Sequence, residues 1–181
     1  MSTYVIGDVH GCAESLFHLI ECLDLVDGDR LWCVGDLINR GPHSLSVIEW
    51  AMQNQDRVQI VLGNHELHFL ACIFGATVSN GDTLDELIHL SADKRKAVCT
   101  WLRRQPIMFE AEIANKWVAM VHAGVNPQWS WSETQYRARA IEEALQSDHG
   151  LEELAYAHPS RKNAKGKYHG LSTQNLNGLK I

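Results

Sequence analysis

Three short apolar runs, Thr3–Ile6, Arg30–Val34 and Val58–Leu62, each break off at a glycine followed by polar residues, and each reads as a strand. Between the first two, Leu16, Leu19, Ile20 and Leu23 follow a helical period. Between the second and third, Ser44–Met52 reads as a helix, with Ser44 as its N-cap after Pro42. This β-α-β-α-β succession predicts parallel strands joined by right-handed crossovers, in a sheet covered by helices. Further along, the pattern predicts a helix over His65–Phe74 and a long one over Thr83–Arg104, closed by Pro106. A hairpin follows, Ile107–Ile113 against Lys116–His122, turning at Ala114-Asn115-Lys116, and then a helix over Glu133–Leu145. Beyond His158 large apolar residues become sparse. The expected organisation is one α/β domain over residues 1–158 and a basic, disordered tail over 159–181.

The strand ends are where such a fold gathers its chemistry, just past the carboxyl ends of parallel strands. Gly7-Asp8-Val9-His10-Gly11, Gly35-Asp36-Leu37-Ile38-Asn39-Arg40-Gly41 and Gly63-Asn64-His65-Glu66 all fall there, and His122 closes the later hairpin strand. Asp8, His10, Asp36, Asn64 and His122 together make a mixed oxygen and imidazole shell, which suits divalent first-row metals rather than a redox cluster. On an extended chain Asp8 and His10 face the same way and can share one ion. Asp36 can bridge two ions, and two such ions ~3.5–4 Å apart can neutralise charge on phosphoryl oxygens. Arg40, in a glycine-rich loop, carries a planar fork suited to phosphate. His65 is placed to act on a leaving oxygen. Glu66 has two readings, orienting His65 or favouring the start of the helix that follows through the dipole, and the second is preferred. His43 is close enough to Arg40 to meet substrate, and Trp129 offers a plane for an adenine ring. No nucleotide-binding Gly-x-Gly-x-x-Gly, P-loop or Gly-x-Ser-x-Gly elbow occurs in the chain.

Composition narrows the partners. A net charge of −6 over 181 residues argues against nucleic-acid binding through an overall field. No acidic residue follows Glu153, whereas Arg161, Lys162, Lys165, Lys167 and Lys180 are basic. The five cysteines are scattered without a Cys-x-x-Cys pair, which favours reduced thiols in a cytoplasmic setting. Met1-Ser2-Thr3-Tyr4 has neither a basic nor an apolar leader character, so no signal peptide is expected. No apolar run approaches a membrane span, and no membrane partner is expected.

The three glycine-led segments and Val121-His122-Ala123-Gly124, in this order, resemble the motifs of the calcineurin-like metallophosphoesterase superfamily. Leu62-Gly63-Asn64-His65-Glu66-Leu67-His68, Trp101-Leu102-Arg103-Arg104-Gln105-Pro106 and His122-Ala123-Gly124-Val125-Asn126-Pro127-Gln128-Trp129 resemble its symmetrical dinucleoside tetraphosphatase branch, and the likeness runs from about Thr3 to about Ser147. The resemblance implies an α+β sandwich and cleavage of diadenosine tetraphosphate at its centre to two ADP. It implies two divalent ions, manganese or cobalt: Asp8, His10 and Asp36 on one, Asp36, Asn64 and His122 on the other. Arg40 would grip phosphate and His65 would assist the leaving group. At position 39 protein phosphatases of the superfamily carry an aspartate paired with this histidine, where this chain has Asn39. The superfamily's chains also run further, through later strands and a Gly-His segment that completes the second metal site. His149, His158 and His169 are the late histidines here, and none follows a strand-like run and a glycine. Two alternatives therefore accompany the tetraphosphatase expectation: a Ser/Thr protein phosphatase of the same superfamily, and a truncated, impaired remnant that binds metal or nucleotide without turnover.

Overall fold

Strands β1 (Thr3–Ile6), β2 (Arg30–Cys33) and β3 (Val58–Ile60) form a parallel sheet in the order β1-β2-β3, with Val5 opposite Trp32 and Trp32 opposite Gln59. The computed structural model describes residues 1–157. The tail expected over 159–181, with His158 and His169, lies outside the described residues.

Side-chain alternation sorts the sheet into two faces. Tyr4, Ile6, Leu31, Cys33, Val58 and Ile60 point into the main core, under helices α1 (Ala13–Leu23), α2 (Ser44–Gln53) and α3 (Asn64–Ile73). Leu31, Cys33 and Ile60 are at most 1% exposed, and burying an aliphatic side chain of this size stabilises by roughly 1.5–3 kcal/mol. The opposite face carries Trp32, which meets Phe109 edge-on with ring centroids 5.2 Å apart. Phe109 belongs to a hairpin, β4 (Met108–Ile113) paired antiparallel with β5 (Lys116–Val121). Among the described residues the helices therefore cover one face of the sheet, and the hairpin covers part of the other. Val5, on that second face, stays 61% exposed.

Several local expectations shift. Ser44 is the first residue of α2, not its cap. His43 holds the cap position, and the buried Ser44 hydroxyl accepts from the Asn39 N–H at 2.9 Å. The long helix expected over Thr83–Arg104 is two helices, α4 (Asp85–Ile88) and α5 (Ala92–Leu102). Leu84 and Leu87 are fully buried, and Arg95 reaches back to the Ile88 and Leu90 carbonyls exposed by the break (2.7 and 3.4 Å). α5 also ends four residues before Pro106, whose carbonyl accepts from the Leu62 N–H at 2.8 Å. The hairpin turns on Ala114 and Asn115, both at positive φ (50° and 61°). Helix α6 (Trp131–Gln146) starts two residues earlier than its apolar pattern, because Ser130 caps it by accepting from the Glu133 N–H.

One element was not foreseen. The chain after Ser147 forms helix α7 (Asp148–Ala157), which packs on α3 and α6 with Leu151 and Ala155 fully buried.

Candidate metal centre

Three strand ends converge because the loops behind them are bonded to one another rather than to solvent. The N–H groups of Val9 and His10 both donate to the Asp36 carbonyl, at 3.0 and 2.8 Å. His10 takes a left-handed conformation, φ 50°, so Asp8 and His10 meet through a turn and not on an extended chain; Asp8 Oδ2 lies 3.6 Å from His10 Nε2. Asp36, Asn39 and Arg40 are also left-handed, at φ 51°, 70° and 70°. Non-glycine residues in that region cost of order 1–3 kcal/mol each unless the surroundings hold them there.

Glu66 holds the loop at Asp36, while Ser44 Oγ takes the Asn39 N–H, Asn39 Oδ1 the Arg40 N–H and the Asp36 carbonyl the His10 N–H. The Glu66 carboxylate is completely buried and accepts four backbone N–H groups: Asp36 at 2.9 Å, Leu37 at 2.8 Å, Ile38 at 3.3 Å and Gly63 at 2.8 Å. Burial pushes this carboxyl up, while those N–H donors pull towards the charged form. The sequence offered a residue that orients His65 or starts a helix; the bonds to four backbone N–H groups were not foreseen. Gly63 has a steric reason: a Cβ at this position would run into the Asp36 carboxylate.

Asp36 is the hub. It is 4% exposed; Oδ1 accepts from the His65 N–H at 2.9 Å, and Oδ2 faces His122 Nε2 at 3.4 Å and His65 Nε2 at 3.8 Å. His122, just past β5, donates from Nδ1 to the Val34 carbonyl at 2.8 Å. That bond turns Nε2 towards Asp36 Oδ2 and towards Asn64 Oδ1, which is 3.1 Å away. An imidazole nitrogen, a carboxylate oxygen and an amide oxygen brought together in this way suit a cation, and a ring steadied by a backbone carbonyl is the usual support for an imidazole ligand. His10 has a longer contact of the same kind, Nδ1 to the Ile38 carbonyl at 3.4 Å. Among the described residues, two groups of three side chains could hold an ion, His10–Asp36–His65 and Asp8–Asp36–His122, with ligating atoms all within 4.8 Å of one another in each. The donor set fits divalent ions.

His65 differs from the other two histidines. Its Nδ1 faces not a carbonyl but the Asn39 amide nitrogen, at 2.9 Å. Burial pushes its imidazole below the ordinary value; Asp36 opposes this, and His10, Arg40 and His68 add to it. Its ring sits edge-on to His10, with centroids 4.9 Å apart.

The remaining expected residues surround this hub. Arg40 is half-exposed, donates to the Gly81 carbonyl at 3.2 Å and lies 3.9 Å from Asp82 Oδ1. His43 is exposed at the start of α2, its N–H bonded to the Gly11 carbonyl. Trp129 lies half-buried beneath the Arg137 guanidinium, 4.4 Å from the ring centroid. It lines a cavity of about 340 Å³ whose walls include Asn64, His122, Leu67, Ile107 and Ile141, so the cavity opens beside the hub. His149 is not part of it: its ring is exposed on α7 and pairs with Glu153 at 3.4 Å. Sequence reasoning also missed Asp82 and Thr83, which sit in an ordinary-looking polar turn yet bond the buried Asn39 side chain at 2.9 and 2.8 Å.

A parallel sheet with an acidic and imidazole hub at its carboxyl rim defines the class as an α/β protein with a metal-type centre. The chain belongs to the calcineurin-like phosphoesterase family, whose sequence profile matches residues 1–173. A symmetrical bis(5'-nucleosyl)-tetraphosphatase of Chromobacterium violaceum is 44% identical over 80% of this chain and 51% of its own length. The protein of the same name from Cronobacter sakazakii is 43% identical over 82% of this chain and 52% of its own. The chain thus spans about half the length of the curated relatives it matches. A solved structure described as a putative diadenosine tetraphosphatase superposes with a TM-score of 0.58 at 28% identity, over 72% of this chain and 53% of that one. No helix among the described residues is long and apolar enough to cross a membrane.

Proposed function

We propose that this centre holds two divalent ions, manganese or cobalt, and hydrolyses a dinucleoside polyphosphate, with diadenosine tetraphosphate cut at its middle to two ADP. The observation that carries the reading is the position of Asp36, whose Oδ2 lies between the rings of His65 and His122, histidines from separate strand ends. Asp8, His10 and Asp36 would hold one ion, and Asp36, Asn64 and His122 the other. When bound, such ions supply an activated water and neutralise charge on the phosphoryl oxygens. Relatives bearing the tetraphosphatase name support the substrate.

The chain's own residues do the rest. Arg40 is held at the rim by Gly81 and presents its free fork to a phosphate. His65 is a hydrogen-bond donor to the leaving oxygen rather than a ligand, because Nδ1 is occupied by Asn39. Trp129, on the cavity beside Asn64 and His122, offers its indole to a nucleobase, and exposed His43 flanks Arg40 on the approach. All five cysteines are free thiols, which supports a cytoplasmic setting.

The test is chromatography of products after incubating manganese-loaded protein with diadenosine tetraphosphate. ADP as the sole nucleotide product supports the reading. Paired AMP and ATP, or unaltered substrate, overturns it.

A further inference from the structure

The Asn39 side chain is fully buried and uses all of its hydrogen-bonding capacity. Its Oδ1 accepts from the N–H groups of Arg40 and Thr83, both at 2.8 Å. Its Nδ2 donates to Asp82 Oδ1 and to His65 Nδ1, both at 2.9 Å. The amide can stand only one way round. Exchanging oxygen and nitrogen would set an NH₂ against two backbone N–H donors and an oxygen against a carboxylate. Since an amide nitrogen only donates, His65 Nδ1 can only accept, and the ring's proton is on Nε2, the atom that faces Asp36 and the candidate metal centre.

We propose that Asn39 is a positioning residue that fixes the His65 proton on Nε2, and so restricts the site to substrates whose leaving group departs as a stable anion. The substrate class is phosphoanhydrides and activated aryl phosphates, to the exclusion of alkyl phosphomonoesters. This rests on the hydrolase reading above and narrows it.

The chemistry follows from what that ring can give away. Water adds its oxygen to phosphorus and its protons pass to solvent and the product phosphates. The P–O bond to the leaving group breaks, and its electron pair stays on the leaving oxygen. His65 Nε2–H can donate a hydrogen bond to that oxygen. It cannot surrender the proton without becoming an imidazolate, because Asn39 supplies Nδ1 with a hydrogen bond but no exchangeable acid. A nucleoside diphosphate leaves as a stable anion and needs only the hydrogen bond. An alkoxide needs the proton itself.

Asp82 supplies an isosteric test. Its Oδ2 accepts from the Ser79 N–H at 2.6 Å and contacts His68 Nε2 at 2.7 Å, while Oδ1 faces Asn39. The double exchange N39D/D82N keeps total charge, shape and every hydrogen bond. The amide introduced at position 82 would donate to the carboxylate introduced at position 39, and that carboxylate would accept from His65 Nδ1–H. Two bonds reverse direction, the one between positions 39 and 82 and the one at His65, and with Nδ1 protonated Nε2 can give a proton up without leaving an imidazolate.

Two readouts are needed. Nitrogen NMR of the imidazole rings in the metal-free protein should show His65 Nδ1 unprotonated in the wild type and protonated in N39D/D82N. Kinetics on manganese-loaded protein, with aryl phosphates of graded leaving-group acidity plus glycerol phosphate, should give a steep dependence on the leaving group for the wild type. The exchange should flatten it, improving poor leaving groups by about tenfold or more relative to p-nitrophenyl phosphate. A protonated Nδ1 in the wild type overturns the positioning role. An inverted ring proton with an unchanged leaving-group dependence overturns the substrate restriction. Wild-type protein that cleaves neither diadenosine tetraphosphate nor any aryl phosphate overturns the hydrolase reading and the restriction together, while the ring assignment still stands or falls by NMR.

Discussion

The carboxylate of Glu66 accepts the backbone N–H of Asp36, thirty residues earlier in the chain, at 2.9 Å. Through this bond and three like it, one buried side chain couples the second strand-end loop to the third. The hub aspartate is therefore held from behind by its backbone, while its carboxylate anchors the His65 N–H through Oδ1 and turns Oδ2 towards the centre.

Replacing Glu66 with glutamine keeps the shape and reverses half of the contact. One end becomes an NH₂ that must face N–H donors, so two buried donors lose their acceptor. Such a change should cost about 3 kcal/mol, from lost charge-assisted bonds and unsatisfied buried groups. Urea unfolding of Glu66→Gln measures it. Wild-type stability would mean that the four bonds contribute nothing net.

Gly63→Ala tests the approach of the two loops from the other side. The added methyl meets the Asp36 carboxylate and N–H. Overpacking of this kind costs about 1–3 kcal/mol, but the sharper consequence is a displaced Asp36. Manganese affinity by titration calorimetry should fall while the far-ultraviolet dichroism stays that of the wild type. Undiminished affinity would show that Asp36 tolerates the shift.

Much of this was legible in the chain. Thr3–Ile6, Arg30–Val34 and Val58–Leu62 are apolar runs ended by glycine, and their parallel pairing follows from the helices between them. Asp8, His10, Asp36, Asn64 and His122 stand out as candidate ligands because ligating residue types at strand ends announce themselves locally. What was not legible depends on partners distant in sequence. Glu66 in Asn64-His65-Glu66 looks the same whether it favours a helix start or bonds a loop thirty residues away. Asp82 carries no local sign that it faces Asn39, forty-three residues before it. The break at His89-Leu90-Ser91 comes where Ser91 turns extended (ψ 150°) ahead of α5 and Arg95 takes the Ile88 and Leu90 carbonyls, which helical periodicity alone does not reveal. α7 was missed because Gly150 interrupts a short segment whose helix gains its burial by docking on α3 and α6.

Asp82 gives the fold a pH dependence with a definite sign. Burial alone would raise its carboxyl, but hydrogen bonds from Asn39, His68 and the Ser79 N–H hold it below the ordinary value of 3.8. A carboxyl depressed in the folded state contributes stability that is fully present above its unfolded value and is lost as pH falls through the folded one. Thermal unfolding followed from about pH 5 down to about pH 2 should therefore show a steeper loss for the wild type than for Asp82→Asn. Parallel curves would mean that the side chain titrates alike in both states.

Asp36 separates the two-ion reading from its rivals. If its carboxylate serves both ions, Asp36→Asn should weaken both, whereas Asp8→Asn and His122→Ala should each weaken one. The asparagine keeps the contact to the His65 N–H through its oxygen, so the loop stays in place and the loss is one of charge. Calorimetric titration with manganese should give two ions per chain for the wild type and no tight site for Asp36→Asn. It should give one tight site for each single-ligand variant. Turnover of diadenosine tetraphosphate should fall in Asp36→Asn by more than about 100-fold, beyond the effect of residues that only support a ligand. Two tight ions retained in Asp36→Asn would remove Asp36 from its bridging position and with it the assignment of every ligand around it.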